Sequence, residues 1–143
     1  MRNIFITIFF LASFTSNAQK QEIQKVIETF FEAFHAKDTL KLKSICSDKL
    51  ILQSISESPS GAKLSNEIAA AFYKSIASIP NEMKFQEKLL SFSIQIDGSM
   101  AHAWTPYEFY INEKLSHKGV NAFTLFKENE LWKIIYIIDT RRK

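Results

Sequence analysis

The stretch AHAWTPYEFYINEKLSHKGVNAFTLFKENELWKIIYIIDTRRK, residues 101–143, decides the fold. It reads as three strand-like runs, Met100 to Ile111, Leu115 to Lys127 and Leu131 to Arg141. Only Asn112-Glu113-Lys114 and Glu128-Asn129-Glu130 separate them. Polar connections this short join strands that lie side by side and antiparallel, so the segment forms a meander. Trp104, Tyr107, Glu108, His117, Asn121, Trp132, Asp139 and Arg141 all fall on it. A sheet so rich in aromatic and polar side chains walls either a packed core or a pocket.

Upstream, Lys88 to Asp97 alternates Leu90, Phe92, Ile94 and Ile96 against Ser91, Ser93 and Gln95, which predicts a half-buried strand turned at Asp97-Gly98. Leu50 to Ile55 is a shorter strand candidate. Ser56 to Ala62, rich in Ser, Pro and Gly, reads as a loop. Earlier still, Ile23, Val26, Ile27, Phe30, Phe31 and Phe34 recur at helical spacing, with Glu22, Lys25, Glu28 and Glu32 on the other face. Asp38 reads as the N-cap of a short helix with Leu40, Leu42 and Ile45 turned inward. Ser65 is expected to cap a third helix carrying Ile68, Phe72, Ile76 and Ile79 and stopping at Pro80. His35 lies at the end of the first helix, where a solvated or capping role is the ordinary one. Helices first and a curved antiparallel sheet after them define an α+β architecture.

The N-terminus has the three parts of a secretory leader: Met1-Arg2-Asn3, an apolar run from Ile4 to Phe14, and Ser16-Asn17-Ala18 before Gln19. The run is too short for the roughly 20 residues a membrane-spanning helix needs, and no cysteine follows Ala18 to carry a lipid. Residues 1–18 are therefore expected to be a cleaved signal peptide, leaving 19–143 as one exported domain, periplasmic or secreted, with no stable membrane anchor. The whole chain carries a formal charge of +3, interspersed apart from Arg141-Arg142-Lys143. That distribution offers no basic stripe for nucleic acid. A single cysteine, Cys46, excludes an internal disulfide and a cysteine-based metal cluster. Thirteen Phe, four Tyr and two Trp must supply the core.

The order of elements, together with A-x-A-W-x-P-Y-x-F-Y (Ala101 to Tyr110), S-H-x-G (Ser116 to Gly119), F-x-L (Phe123 to Leu125) and W-K-I…D-T-R-R (Trp132 to Arg142), resembles the nuclear transport factor 2-like (NTF2-like) superfamily. Within it, these strings look like the exported bacterial branch of lumazine-binding-like and SnoaL-like proteins. The resemblance covers the chain after the leader. It implies a cone-shaped fold with N-terminal helices packed on a strongly curved sheet, a pocket between them, and homodimerisation through the outer sheet face. It does not imply an activity, because the superfamily holds isomerases, dehydratases, cyclases, hydrolases and non-enzymatic subunits on one scaffold.

If Asn112-Glu113 and Asn129-Glu130 are both two-residue hairpin turns, Glu108 faces His117, Trp104 faces Asn121, and Phe123 faces Tyr136. Trp104, His117, Asn121 and Tyr136 then share a pocket face, while Tyr107, Asp139 and Arg141 take the other. A slip of one residue exchanges the faces. On this pairing Trp104, His117, Asn121 and Tyr136 are the expected ligand contacts, and Arg141, at the end of the last strand, is expected to add a contact to an anionic or polar part of the ligand. His117, with Glu108 or Asp139 to orient it, is the candidate acid/base unit, since a carboxylate beside an imidazole orients the ring. An exposed cross-strand ion pair is the plainer reading of Glu108 and His117. The sequence shows no metal-ligand spacing, phosphate loop or nucleophilic triad, and no cofactor is called for.

The leading expectation is an exported small-ligand-binding protein without assigned catalysis, taking a small, largely apolar or aromatic molecule. A cofactor-free isomerase, cyclase or dehydratase of the SnoaL or ketosteroid-isomerase type is the alternative. A homodimeric accessory domain with a vestigial pocket is the second.

Overall fold

The computed structural model describes the backbone of residues 2–143 and the side chains of residues 17–143. The apolar side chains of the expected leader lie outside the described residues. Among those described, no helix is long and apolar enough to cross a membrane.

The chain runs α1 (Arg2–His35), α2 (Thr39–Ile45), β1 (Cys46–Ser58), β2 (Gly61–Ile68), α3 (Ala69–Ala77), β3 (Phe85–Leu89), β4 (Ser93–Asp97), β5 (Met100–Ile111), β6 (Lys114–Glu128) and β7 (Leu131–Arg141). All seven strands form one sheet in the order β2-β1-β7-β6-β5-β3, with β4 also paired to β5. Every pairing is antiparallel except β1 with β7. The sheet is curved and unclosed, and the helices pack against it.

The apolar stripe of α1 seats on the concave face, with Ile23 and Ile27 fully buried and Phe30 and Phe31 nearly so. On β5, Ala101 and Ala103 are buried in the same core cluster. Leu42, Leu125 and Ile134 complete this end of the core. Phe30 and Phe31 each meet Phe123 edge-on, at 5.9 and 6.0 Å between ring centroids. Asp38 caps α2 by accepting from the Lys41 amide at 2.9 Å.

Several expectations are corrected. Leu40 is 79% exposed and does not face inward. The Ser56 to Ala62 stretch is the tip of a long β1–β2 hairpin. Ser65 therefore sits in a strand and caps no helix, and Ile68 precedes α3, which lacks a side-chain cap. Strand β2 is exposed at every position, so it carries no apolar alternation. The run from Lys88 to Asp97 is broken into the end of β3 and all of β4.

The larger correction concerns register. Both meander connections are the tight turns expected: Asn112, Glu113, Asn129 and Glu130 all have positive φ, as a type I′ turn requires. Pairing begins as Ile111 with Lys114 and Glu128 with Leu131. A bulge at Ser116 and another at Ile135 then each insert one residue. Beyond them Glu108 pairs with Lys118, Trp104 with Ala122, and Phe123 with Ile137. Bulges of this kind bend a strand and increase its twist.

Candidate functional site

The concave face beyond the packed end of the core encloses a cavity of about 610 Å3. Its apolar walls are Phe30, Phe31 and Phe34 of α1, Phe72 and Ile76 of α3, and Phe109, Phe123 and Ile137 of the sheet. Phe30, Phe34 and Phe72 lie nearly parallel, 6.3–6.4 Å apart, and Phe34 meets Phe85 edge-on at 5.0 Å. Its polar end is built by Ser54, Glu87, Tyr107, His117, Asn121, Asp139 and Arg141.

Register explains how these groups converge. Thr105, Asn121, Asp139 and Ser54 are consecutive cross-strand partners on β5, β6, β7 and β1. Glu87, Phe109 and His117 form a parallel row on β3, β5 and β6. Tyr107 lies between the rows.

Asp139 is the hub. Its Oδ1 accepts from the Ser54 hydroxyl, and its Oδ2 accepts from Arg141 Nε at 2.6 Å. Arg141 Nη2 reaches Oδ1 at 3.4 Å. The Tyr107 hydroxyl donates to the Thr140 carbonyl at 2.8 Å and lies 3.3 Å from Asp139 Oδ2. Gly119 makes this crowding of β6 and β7 feasible, since a Cβ there would lie 1.8 Å from the Thr140 carbonyl oxygen. Burial, reinforced by the Asp139 and Glu87 carboxylates, pushes the Tyr107 phenol above its ordinary value.

Glu87 completes the set. Asn121 Nδ2 donates to its Oε1 at 2.6 Å, while its backbone N–H donates to His35 Nε2 at 2.9 Å. Loss of solvation pushes the Glu87 carboxyl up to about 7, with Asp139 adding to the rise and the Asn121 bond and Arg141 opposing it. His117 stacks on Phe109 at 4.9 Å and sits within hydrogen-bond reach of Ser116 Oγ through Nδ1. Burial first, then Arg141, lowers its pKa, while Asp139 opposes them. The two carboxyl groups thus differ in their surroundings: Asp139 is paired with arginine, while Glu87 is buried without a counter-charge and pushed up to about 7.

Of the expected ligand contacts, His117, Asn121 and Arg141 line this cavity. Trp104 and Tyr136 do not. The bulges turn them to the convex face, where Trp104 is 49% exposed and the Tyr136 hydroxyl donates to Gln53. Asp139, a candidate orienter, lies in the site. Glu108 lies on the convex face between Lys88 and Lys118 and accepts from the Tyr110 hydroxyl at 2.7 Å, so the Glu108–His117 pair does not form. Sequence reasoning missed Glu87 and Ser54. For Glu87 a signal existed: Phe85, Glu87 and Leu89 share one strand face, which sets a carboxylate between two inward apolar residues. His35 acts as a hydrogen-bond acceptor for a strand edge, and burial lowers its pKa.

A second hollow of about 1030 Å3 lies on the convex side, bounded by Lys43, Asp48, Ile51, Phe126, Lys133 and Tyr136 among others. It is larger, but it does not bring titratable groups into one interlocked network. The concave cavity does, and its apolar enclosure with a few convergent polar groups is the ordinary make-up of a small-molecule site. Among the described residues no group of three or more His, Cys, Asp or Glu side chains is arranged to hold a metal ion.

No protein-family model matches the chain, and no curated protein matches it in sequence. Solved structures do match in fold. An NTF2-like protein from Cytophaga hutchinsonii superposes with a TM-score of 0.70 at 16% identity, covering 87% of this chain and 98% of that one. A protein provisionally named a dehydratase of the NTF2-like family, from Streptomyces avermitilis, gives 0.68 at 14%, covering 90% and 99%. The beta subunit of a protein provisionally named an aromatic-ring-hydroxylating dioxygenase, from Novosphingobium aromaticivorans, gives 0.74 at 8%, covering 90% and 92%. The chain has the NTF2-like fold.

Proposed function

We propose that the protein binds a small, largely apolar or aromatic molecule in the concave cavity, without assigned catalysis. The observation that carries this reading is the enclosure of about 610 Å3 with phenylalanine walls and one polar end. A cavity that size, left open between helix and sheet, supports binding over a vestigial accessory domain. We also propose that residues 1–18 direct export to the periplasm or beyond, consistent with a lumazine-binding-like or SnoaL-like exported protein. Homodimerisation through the convex sheet face belongs to the same proposal, supported by the exposed Met100, Trp104 and Phe126.

Titration with N-phenyl-1-naphthylamine, an uncharged dye that brightens in apolar surroundings, tests the site, and native mass spectrometry of the same material reports subunit number. Saturable binding at one site per chain is expected. Its absence, with no co-purified molecule, would reject the binding reading.

One observation favours the acid/base alternative specifically: burial pushes the Glu87 carboxyl up to about 7 in the same cavity as the Asp139–Arg141 pair. In that reading Glu87 takes the proton-transfer role given from sequence to His117. The NTF2-like fold of a protein provisionally named a dehydratase adds analogy at the level of fold.

A further inference from the structure

The polar end of the cavity is unevenly neutralised. Asp139 is paired with Arg141 through two contacts, so together they contribute no net charge. Tyr107 keeps its proton and His117 is held toward its uncharged form. Glu87 differs. Asn121 donates to its Oε1, but no donor reaches Oε2 among the described residues, and no cation is paired with it. Around it stand Phe30, Phe31, Phe34, Phe72, Phe109 and Phe123.

We infer that the ligand of this cavity, given that it is a binding site at all, is an organic cation: an amine or quaternary ammonium group on an apolar body, its charge held between the Glu87 carboxylate and the phenylalanine rings. Three physical points favour that class. A buried carboxyl without a counter-charge gives up its ionisation unless a cation enters. Aromatic rings attract cations most strongly where water is excluded. A cation neutralises Glu87 as Arg141 neutralises Asp139, whereas an anionic ligand would add a further negative charge to a cavity lined by Glu67, Glu87 and Asp139 with Arg141 as its one lining cation among the described residues.

The charged and titratable groups facing Glu87 are Asp139 and Arg141 of β7, Tyr107 of β5, His117 of β6 and, at its backbone, His35 of α1, with the exposed Glu67 of β2 also lining the cavity. Burial holds both histidines below the ordinary imidazole value of 6.5. The window just above neutrality therefore reports Glu87. With its carboxyl titrating at about 7, the ionised fraction, and with it the affinity for a permanent cation, rises about tenfold from pH 6 to pH 8.

The experiment displaces N-phenyl-1-naphthylamine from the purified protein with benzyltrimethylammonium, which has no titrating group, and with its uncharged isostere neopentylbenzene. Benzyltrimethylammonium is expected to be the stronger competitor at pH 8 and to lose about tenfold by pH 6, with neopentylbenzene unchanged. In Glu87→Gln, which keeps the shape and an acceptor for Asn121, the cation weakens about tenfold at pH 8 and its pH dependence disappears. Unchanged neopentylbenzene binding shows that the variant is folded. If the dye binds but the cation competes no better than neopentylbenzene, or Glu87→Gln keeps the wild-type pH profile, the cation inference is overturned and the pocket reading stands. If the dye does not bind, both fall.

Discussion

The two ends of the concave face are built from the same helix and the same three strands, yet one is solid and the other hollow. At the solid end Ile23 and Ile27 sit on Ala101, Ala103, Leu125 and Ile134, with little exposure anywhere. At the hollow end the sheet presents Tyr107, His117, Asn121 and Asp139, and the facing helix positions hold Phe30, Phe31 and Phe34. The polar side chains there bond one another, through Ser54–Asp139–Arg141 and Glu87–Asn121, and the Glu87 backbone amide reaches α1 at His35. The difference teaches that one interface can be close-packed along part of its length and hollow along the rest. A cavity can persist because its polar wall is internally bonded and does not require the helix to close on it.

The largest effect that would sharpen this division is expected at Gly119. A Cβ there would collide with the Thr140 backbone, so Gly119→Ala should lose about 4 kcal/mol or more, or fail to fold. A urea melt showing a loss below about 1 kcal/mol would mean that the β6–β7 crowding holding Tyr107 and Asp139 together is dispensable.

Next come the two ends compared directly. Ile27→Ala, in the solid end, should lose about 2–5 kcal/mol and leave dye affinity unchanged. Phe30→Ala, at the boundary, should lose about 3–5 kcal/mol and also weaken the dye. Equal effects of both substitutions on the dye would erase the distinction.

A smaller effect belongs to pH. Glu87 has a folded pKa of about 7, raised above the ordinary 4.5, so the folded chain holds a proton that the unfolded chain has already released. Its contribution to stability is therefore lost as pH rises from about 4.5 to 7, then stays level. Glu87→Gln should be more stable than the wild type at pH 8 by on the order of 2 kcal/mol and equal to it near pH 4.5. Thermal melts at the two pH values check this, and a variant less stable at pH 8 would show that the carboxylate has a partner of opposite charge.

The smallest effect lies outside both ends. Glu113 and Glu130 occupy positive φ in their turns, where glycine is favoured. Either substitution to Gly should stabilise by about 0.5–1 kcal/mol, read from the midpoint of denaturation.

These two turns also mark how far the sequence can be read. The amphipathic stripe of α1, the Asp38 cap, the three meander strands and both tight turns were all legible, because each rests on a local pattern. The bulges were not. Ser116 and Ile135 are ordinary strand residues, and nothing nearby in sequence distinguishes a bulged position from a paired one. The cost fell on the site, because one inserted residue reverses every side chain beyond it. That is why Trp104 and Tyr136 were expected beside His117 and Asn121, and why Glu108 was expected to face His117. Strand β2 escaped for a different reason: an edge strand exposed at every position carries no periodic apolar signal. Glu87 is obscured because the alternation from Lys88 onward reads as one strand, whose start falls just after Glu87 and three residues after the true start of β3 at Phe85.

The central claim is that the concave cavity, and not the larger convex hollow, receives a small molecule. Backbone amide resonances followed by nuclear magnetic resonance during titration with N-phenyl-1-naphthylamine test it most directly. Saturable shifts are expected at Glu87, Tyr107, His117, Asn121 and Asp139, with little change at Asp48, Ile51, Phe126 and Tyr136. Shifts confined to the second group, or no saturable shift at either, would contradict it.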